Sequence, residues 1–165
     1  MKGIEPGKLA VGDVAPEFDL PALVGGVKQR FQLRAALERG PVALAFYPSN
    51  WDPVTAQQLR EYQASLRMFA AKQTEIVGIT VDSIMNSTSW EREIGPFDFP
   101  LCADFWPHGE VCRAYGVFQE DAQLRGACER SIVVIGRAGR VVACRSYGVA
   151  ERPELTQLLA VLADL

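Results

Sequence analysis

Histidine occurs once in this 165-residue sequence, at His108, and that scarcity removes several kinds of chemistry. No Ser-His-Asp set and no HExxH pair is present, so the usual signals for triad hydrolysis or zinc proteolysis are absent. His108 lies in PHG with Cys102 and Cys112 the nearest other donors, three ligands at most, in a spacing that matches no common zinc finger or ribbon. It is expected to be a turn residue, and no metal or cofactor is expected. Basic runs are also missing: 17 Lys and Arg are interspersed among 20 Asp and Glu, for a net charge of −3. Without a dense positive face there is little to neutralise phosphates, so nucleic acid is not an expected partner. No stretch approaches the roughly 18 consecutive apolar residues of a membrane span. The opening MKGIEPGKLAVGD meets Glu5, Pro6 and Gly7 before any apolar run could act as a signal core. No membrane association and a cytoplasmic location are the resulting expectations.

Repeats, linkers and low-complexity segments are absent too, and residues 1–165 read as one domain. Such a length buries roughly 70% of the surface the unfolded chain exposes, so no staple is required. The four cysteines, Cys102, Cys112, Cys128 and Cys144, show no CxxC spacing and no pairing signature. In a reducing compartment they are expected as free thiols.

What is present is a regular alternation of elements. Two short apolar-bearing runs flank Gly25-Gly26 and predict an N-terminal hairpin. RAALERG predicts a short helix ended by Gly40, and VALAFY, Val42 to Tyr47, a strand covered on both faces. PVTAQQLREYQASLRMFAAK spaces Leu59, Tyr62, Leu66, Phe69 and Ala70 by steps of three, four and one, which predicts a helix with one buried stripe. EIVGITVD predicts a second buried strand, and NSTSWEREIG and EVCRAYG two short helices. SIVVIGRAGRVVACRSYG predicts two strands joined around Ala138-Gly139, where GRAG is a hairpin turn and not a phosphate loop. PELTQLLAVLADL predicts a closing amphipathic helix begun by Pro153. This order is that of an α/β, thioredoxin-like domain: a mixed central sheet flanked by helices. Trp51, Trp90 and Trp106 stand beside turns and short helices and are expected to pack.

The segments FYPSNWDPV, GITVDS, FPLCADFWPHGEVCRAYGVF and ERSIVVIGRAGRVV, in this order, resemble the peroxiredoxins of the AhpC/TSA family over nearly the whole chain. DFWPHG followed by RAYGVF is most similar to the one-cysteine, AhpE-like branch. The resemblance implies thiol peroxidase activity in the family, with a reactive loop PxxxTxxC whose cysteine lies in the first turn of a helix. It also implies an Arg from a later strand that helps the thiol ionise. Pro48 matches the motif proline and Arg130 the later arginine, but Asp52 stands in place of the threonine and Thr55 in place of the peroxidatic cysteine. Gln58 stands where an acidic residue is usual.

An alcohol oxygen cannot replace an ionisable, polarisable sulfur that is oxidised to a sulfenic acid and recycled. Asp52 opposes negative charge at the same place and competes for Arg130. Two readings of these residues follow. In the structural one, Asp52 caps the helix with Pro53 as its first residue, or Thr55 and Gln58 form a capping box one turn later. In the functional one, Asp52 pairs with Arg130 in a rebuilt polar pocket for a small ligand. The chain is thus expected to be a pseudo-peroxiredoxin, a homodimer by resemblance, with a binding, sensing or partner role toward a redox protein or small ligand. The alternative is thiol peroxidase chemistry moved to a non-standard cysteine such as Cys128, two residues before Arg130 and expected to face the same way. Against it, free cysteines are mostly buried and serve as small hydrophobes, the expectation for Cys102 and Cys112. Cys144 is expected to be structural, with its exposure set by which face of the strand VVACRS it takes.

Overall fold

The structure is a computed structural model that describes residues 8–121 and 123–165. The Glu5-Pro6-Gly7 break lies outside the described residues.

Continuous apolar runs become the middle of the sheet. β3 (Val42–Phe46) is buried at every position and β4 (Glu75–Thr80) at all but its first. They pair in parallel, Val42 opposite Glu75 and Phe46 opposite Ile79. β5 (Leu101–Ala103) lies parallel to β4 on its other side. β6 (Arg130–Ile135) runs antiparallel to β3, with Phe46 opposite Ser131, and β7 (Val141–Tyr147) antiparallel to β6. The expected hairpin forms from β1 (Asp19–Val24) and β2 (Val27–Gln32), and β1 joins β5. The result is one mixed, seven-stranded sheet in the order β2-β1-β5-β4-β3-β6-β7.

Period-two alternation in the central strands builds two cores. Val42, Leu44 and Phe46 face one layer, with Leu33 and Ala36 of α1 (Leu33–Arg39) and Val111 and Cys112 of α5 (Glu110–Ala114). Ala43, Ala45 and Tyr47 face the other. There they meet Leu59 and Tyr62 of α2 (Pro53–Ala64), Phe69 of α3 (Leu66–Ala71), Trp90 of α4 (Ile84–Ile94), and Leu158 and Leu162 of α6 (Leu155–Ala163). Small alanines on the second face of β3 leave room for the large aromatic side chains of α2 to α4.

Several expectations are corrected. The single helix expected over PVTAQQLREYQASLRMFAAK is two, because Ser65 leaves helical geometry and its N–H bonds Tyr62 O. Leu59, Tyr62 and Phe69 are buried as the stripe requires, but Ala70 is exposed beyond that break. α6 begins at Leu155, two residues after Pro153. Trp90 is buried, whereas Trp51 and Trp106 are 54% and 83% exposed, so neither is a core side chain.

The expectation of free thiols fails at Cys112 and Cys128, which form a disulfide. Cys102 and Cys144 are free, the first buried and the second on the exposed face of β7.

Candidate functional site

Asp52 is the N-cap of α2: its carboxylate accepts from the N–H groups of Val54 at 3.4 Å and Thr55 at 3.1 Å, and Pro53 follows as the first helical residue. The earlier of the two sequence registers is the one adopted, and Thr55 and Gln58 lie inside the helix. Pro48 is buried in the connection from β3, which ends at the same edge of the sheet where β6 begins. Because Arg130 shares strand parity with Ile132 and Val134, its side chain enters the layer of α2.

There Arg130 is fully buried and donates four hydrogen bonds. Its Nη2 reaches Asp52 Oδ2 at 2.5 Å and Val149 O at 3.0 Å. Its Nη1 reaches Thr55 Oγ1 at 2.9 Å and Gln58 Oε1 at 3.0 Å. Nε has no partner. The Thr55 hydroxyl, while accepting from Arg130, donates to Asp52 Oδ2 at 2.7 Å, and Gln58 Nε2 donates to the Tyr62 hydroxyl at 2.9 Å. Asp52, Thr55 and Arg130 are therefore one cluster, and Asp52 and Arg130 pair as expected.

The electrostatics follow from the geometry. Burial pushes the Asp52 carboxyl up, but hydrogen bonds from Thr55 and Arg130, together with the guanidinium charge, outweigh it and hold the group below the usual carboxylate range. Burial raises the Tyr62 phenol far enough that it stays protonated. The cluster thus holds one cation and one anion within the chain, and every proton on the Thr55 hydroxyl and the Gln58 amide nitrogen that an interaction orders points to a protein oxygen.

No cysteine joins it. Cys128 shares sequence parity with Arg130 yet lies in the opposite core layer with Cys112. Its expected facing fails because Cys128 sits in an isolated bridge with Phe118, outside β6, so strand alternation does not carry through Glu129. As a buried disulfide sulfur it is not a free nucleophile, which corrects its place as the alternative thiol. Burial drives the Cys102 thiol well above its ordinary value. Cys144 donates to Leu9 O at 3.4 Å on the far edge strand. His108 Nε2 lies 2.6 Å from Gly126 O, and among the described residues no group of three or more His, Cys, Asp or Glu is placed to hold a metal ion.

A second polar cluster, unforeseen in the sequence, fixes the loop before α2. The Tyr47 hydroxyl donates to Asn50 Oδ1 at 3.0 Å, and the Asn50 N–H donates to Asp82 Oδ2 at 2.6 Å. Asn50 Nδ2 donates to Asn86 Oδ1 and Ser87 Oγ, and Trp51 Nε1 shares Asn86 Oδ1. Trp51 adopts φ 67, a left-handed conformation rare for a bulky residue, which this cluster holds in place. Gln58 was legible as a helix neighbour three residues after Thr55, and Tyr62 as one four residues after Gln58; the Val149 carbonyl left no sequence signal.

The model of the AhpC/TSA family matches residues 11–144. The chain belongs to that family. This peroxiredoxin is 34% identical over 131 residues to alkyl hydroperoxide reductase E of Mycobacterium tuberculosis, covering 79% of this chain and 81% of the relative. It is 29% identical over 128 residues to alkyl hydroperoxide reductase C of Helicobacter pylori, covering 72% and 64%. Among solved structures, the reduced 2-Cys peroxiredoxin of Plasmodium vivax superposes with a TM-score of 0.86 over 93% of this chain and 80% of that one, at 22% identity. The AhpC structure of Mycobacterium bovis does so at 0.84 over 95% and 97%, with 18% identity. The peroxiredoxin fold of the thioredoxin type is therefore that of this chain.

Proposed function

We propose that this peroxiredoxin does not carry thiol peroxidase chemistry at the start of α2, and that it acts as a binding, sensing or partner subunit in a thiol redox setting. The observation that carries the reading is the Thr55 hydroxyl, which donates to Asp52 while accepting from Arg130. By the family motif Thr55 stands at the peroxidatic position and Asp52 at the motif threonine. An alcohol there can neither ionise readily nor cycle through a sulfenic acid, and Asp52 already neutralises the cation that would stabilise a thiolate. The relatives named as alkyl hydroperoxide reductases suggest the ancestral chemistry that this site has left.

Residues 1–165 form one domain in this reading, the location is cytoplasmic, and the subunit pairs as a homodimer. Supporting the pairing, Trp51, Met85, Phe105 and Trp106 are exposed and all follow the C-terminal ends of the parallel strands β3, β4 and β5. No helix among the described residues is long and apolar enough to cross a membrane.

The test is hydrogen peroxide consumption with a dithiol reductant. The protein is expected to turn over peroxide no faster than a variant with all four cysteines replaced by serine. Rapid turnover that vanishes on replacing any one of Cys102, Cys112, Cys128 or Cys144 would establish the alternative, a peroxidase using a non-standard sulfur.

A further inference from the structure

We propose that Cys112 and Cys128 form a reversible dithiol/disulfide latch that holds a short hairpin against the loop bearing Trp106. The latch itself stands apart from the reading of Thr55; only the use of the Trp106 loop as a partner face rests on it.

The two sulfurs join parts of the chain with very different support. Cys112 is on α5, where Asp104, itself buried, accepts from the N–H groups of Val111 at 3.2 Å and Cys112 at 2.8 Å. That side is tied to the end of β5 without help from sulfur. Cys128 is on one arm of a narrow antiparallel pair, residues 117–119 against 126–129. Its backbone bonds are Glu129 N to Val117 O, Gln119 N to Ala127 O and Gly126 N to Gln119 O, at 2.6, 2.8 and 2.9 Å. The pair belongs to no wider sheet and contains one isolated bridge. A two-stranded ribbon of this size is marginal alone. The disulfide ties it to α5 together with buried Val117, whose N–H donates to Cys112 O, and with Glu129, which pairs with Lys8 and accepts from Ser146 Oγ.

The hairpin in turn supports the loop between β5 and α5. His108 Nε2 meets Gly126 O at 2.6 Å, and the Phe118 ring lies edge-on to the imidazole with centroids 6.0 Å apart. Phe118 also fills the space beside Gly109, where a side-chain carbon would overlap its ring. Arg113 stacks over Phe118 at 3.7 Å and pairs with Glu120 at 3.0 Å, both at the surface. Trp106 is two residues from His108. Releasing the hairpin therefore removes the backing of the loop that presents Trp106.

The chemistry is disulfide exchange. A dithiol reductant attacks one sulfur as thiolate, breaks the Cys112–Cys128 bond through a mixed disulfide, and leaves as its own disulfide. Two electrons and two protons pass to the protein, which gains two S–H groups. The reverse exchange with an oxidised dithiol closes the latch. Both sulfurs are buried, so attack requires local opening, and the weakly supported arms are where opening costs least.

Protein purified without reductant, denatured and alkylated, is expected to carry label on Cys102 and Cys144 only. Equilibration of the native protein across graded ratios of reduced to oxidised dithiol is expected to give one reversible two-electron transition. Amide exchange at residues 117–119, 126–129 and 105–109 is expected to rise by roughly a hundredfold on reduction, while the β1–β2 hairpin is unchanged. The variant with Cys112→Ser and Cys128→Ser should show the fast exchange at all ratios. Four alkylated cysteines in the unreduced protein, reduction only on global unfolding, or reduction without faster exchange in the arms would each overturn the latch. Should the double variant not fold, the titration of the unaltered protein still decides. Peroxide turnover is a separate readout, so its detection would remove the proposed function and leave the latch standing.

Discussion

Asp52 and Arg130, 78 positions apart, meet at 2.5 Å with the arginine side chain fully buried and the aspartate side chain 23% exposed. The pair joins the helix N-cap to the first residue of β6, so one carboxylate serves the local helix start and the tertiary ion pair together.

Removing the anion is expected to cost at least as much as removing the cation, because it leaves the fully buried guanidinium without a counter-charge. Arg130→Met leaves the Gln58 carbonyl and the Thr55 oxygen buried with one partner fewer, and Asp52 without its counter-charge, a loss of about 2–4 kcal/mol. Asp52→Asn keeps a capping oxygen but strands the buried Arg130 charge, a loss of about 3–5 kcal/mol. Urea denaturation of both variants checks the order.

The pair also predicts an acid limb. Because the folded Asp52 sits below its ordinary value of 3.8, the unfolded chain takes up the proton first as pH falls. The stabilisation is complete above that ordinary value and is lost as pH drops below it through the folded value. Asp52→Asn should flatten this limb of a stability profile below pH 3.8. A limb of unchanged steepness would assign it to other carboxylates.

Restoring sulfur at the helix start separates scaffold from nucleophile. Thr55→Cys alone places a thiol beside the Asp52 carboxylate, which raises the thiol and occupies Arg130, so peroxide reduction should stay slow. Adding Asp52→Thr frees Arg130, and the thiolate absorbance should then appear at lower pH, with peroxide reduction at least about tenfold faster. Equal rates in the two variants would show that Asp52 does not limit a thiol placed at position 55.

Gly109 has φ +68 and faces the Phe118 ring. Gly109→Ala combines a left-handed backbone penalty with a steric overlap, for a loss of about 1–3 kcal/mol. The accompanying Phe118→Ala change should recover part of it, measured as coupling in a double-mutant cycle on thermal stability.

Local chemistry explains which features could be read in advance. VALAFY reads best as a strand covered on both faces, since Val42 to Phe46 are all apolar and the run is short for a buried helix. Asp52-Pro53 offered one of two legible starts for α2, and the structure adopts it, because capping is decided by residues that touch within one turn. The meeting of Asp52 with Arg130 came from the family pattern, and nothing in the spacing of the two residues required it. Ser65 interrupts a helix whose apolar stripe continues past it, so periodicity hid the break. The exposure of Trp51 and Trp106 was hidden for a similar reason: composition favours burying an indole, but both lie in loops held from behind by backbone and polar side chains.

The order of most strands and helices, apart from β5 and the break between α2 and α3, the buried centre of the sheet and the absence of sulfur at the start of α2 were determined by the sequence alone, because each depends on residue type within a few neighbours. The pairing of Cys112 with Cys128, the binding of both Arg130 Nη atoms by Asp52, Thr55, Gln58 and Val149, and the second cluster around Asn50 were decided only by tertiary structure. Each requires distant segments to arrive at one place in one orientation. Strand parity, the one local rule that reaches that far, breaks at Glu129, between the disulfide and the arginine.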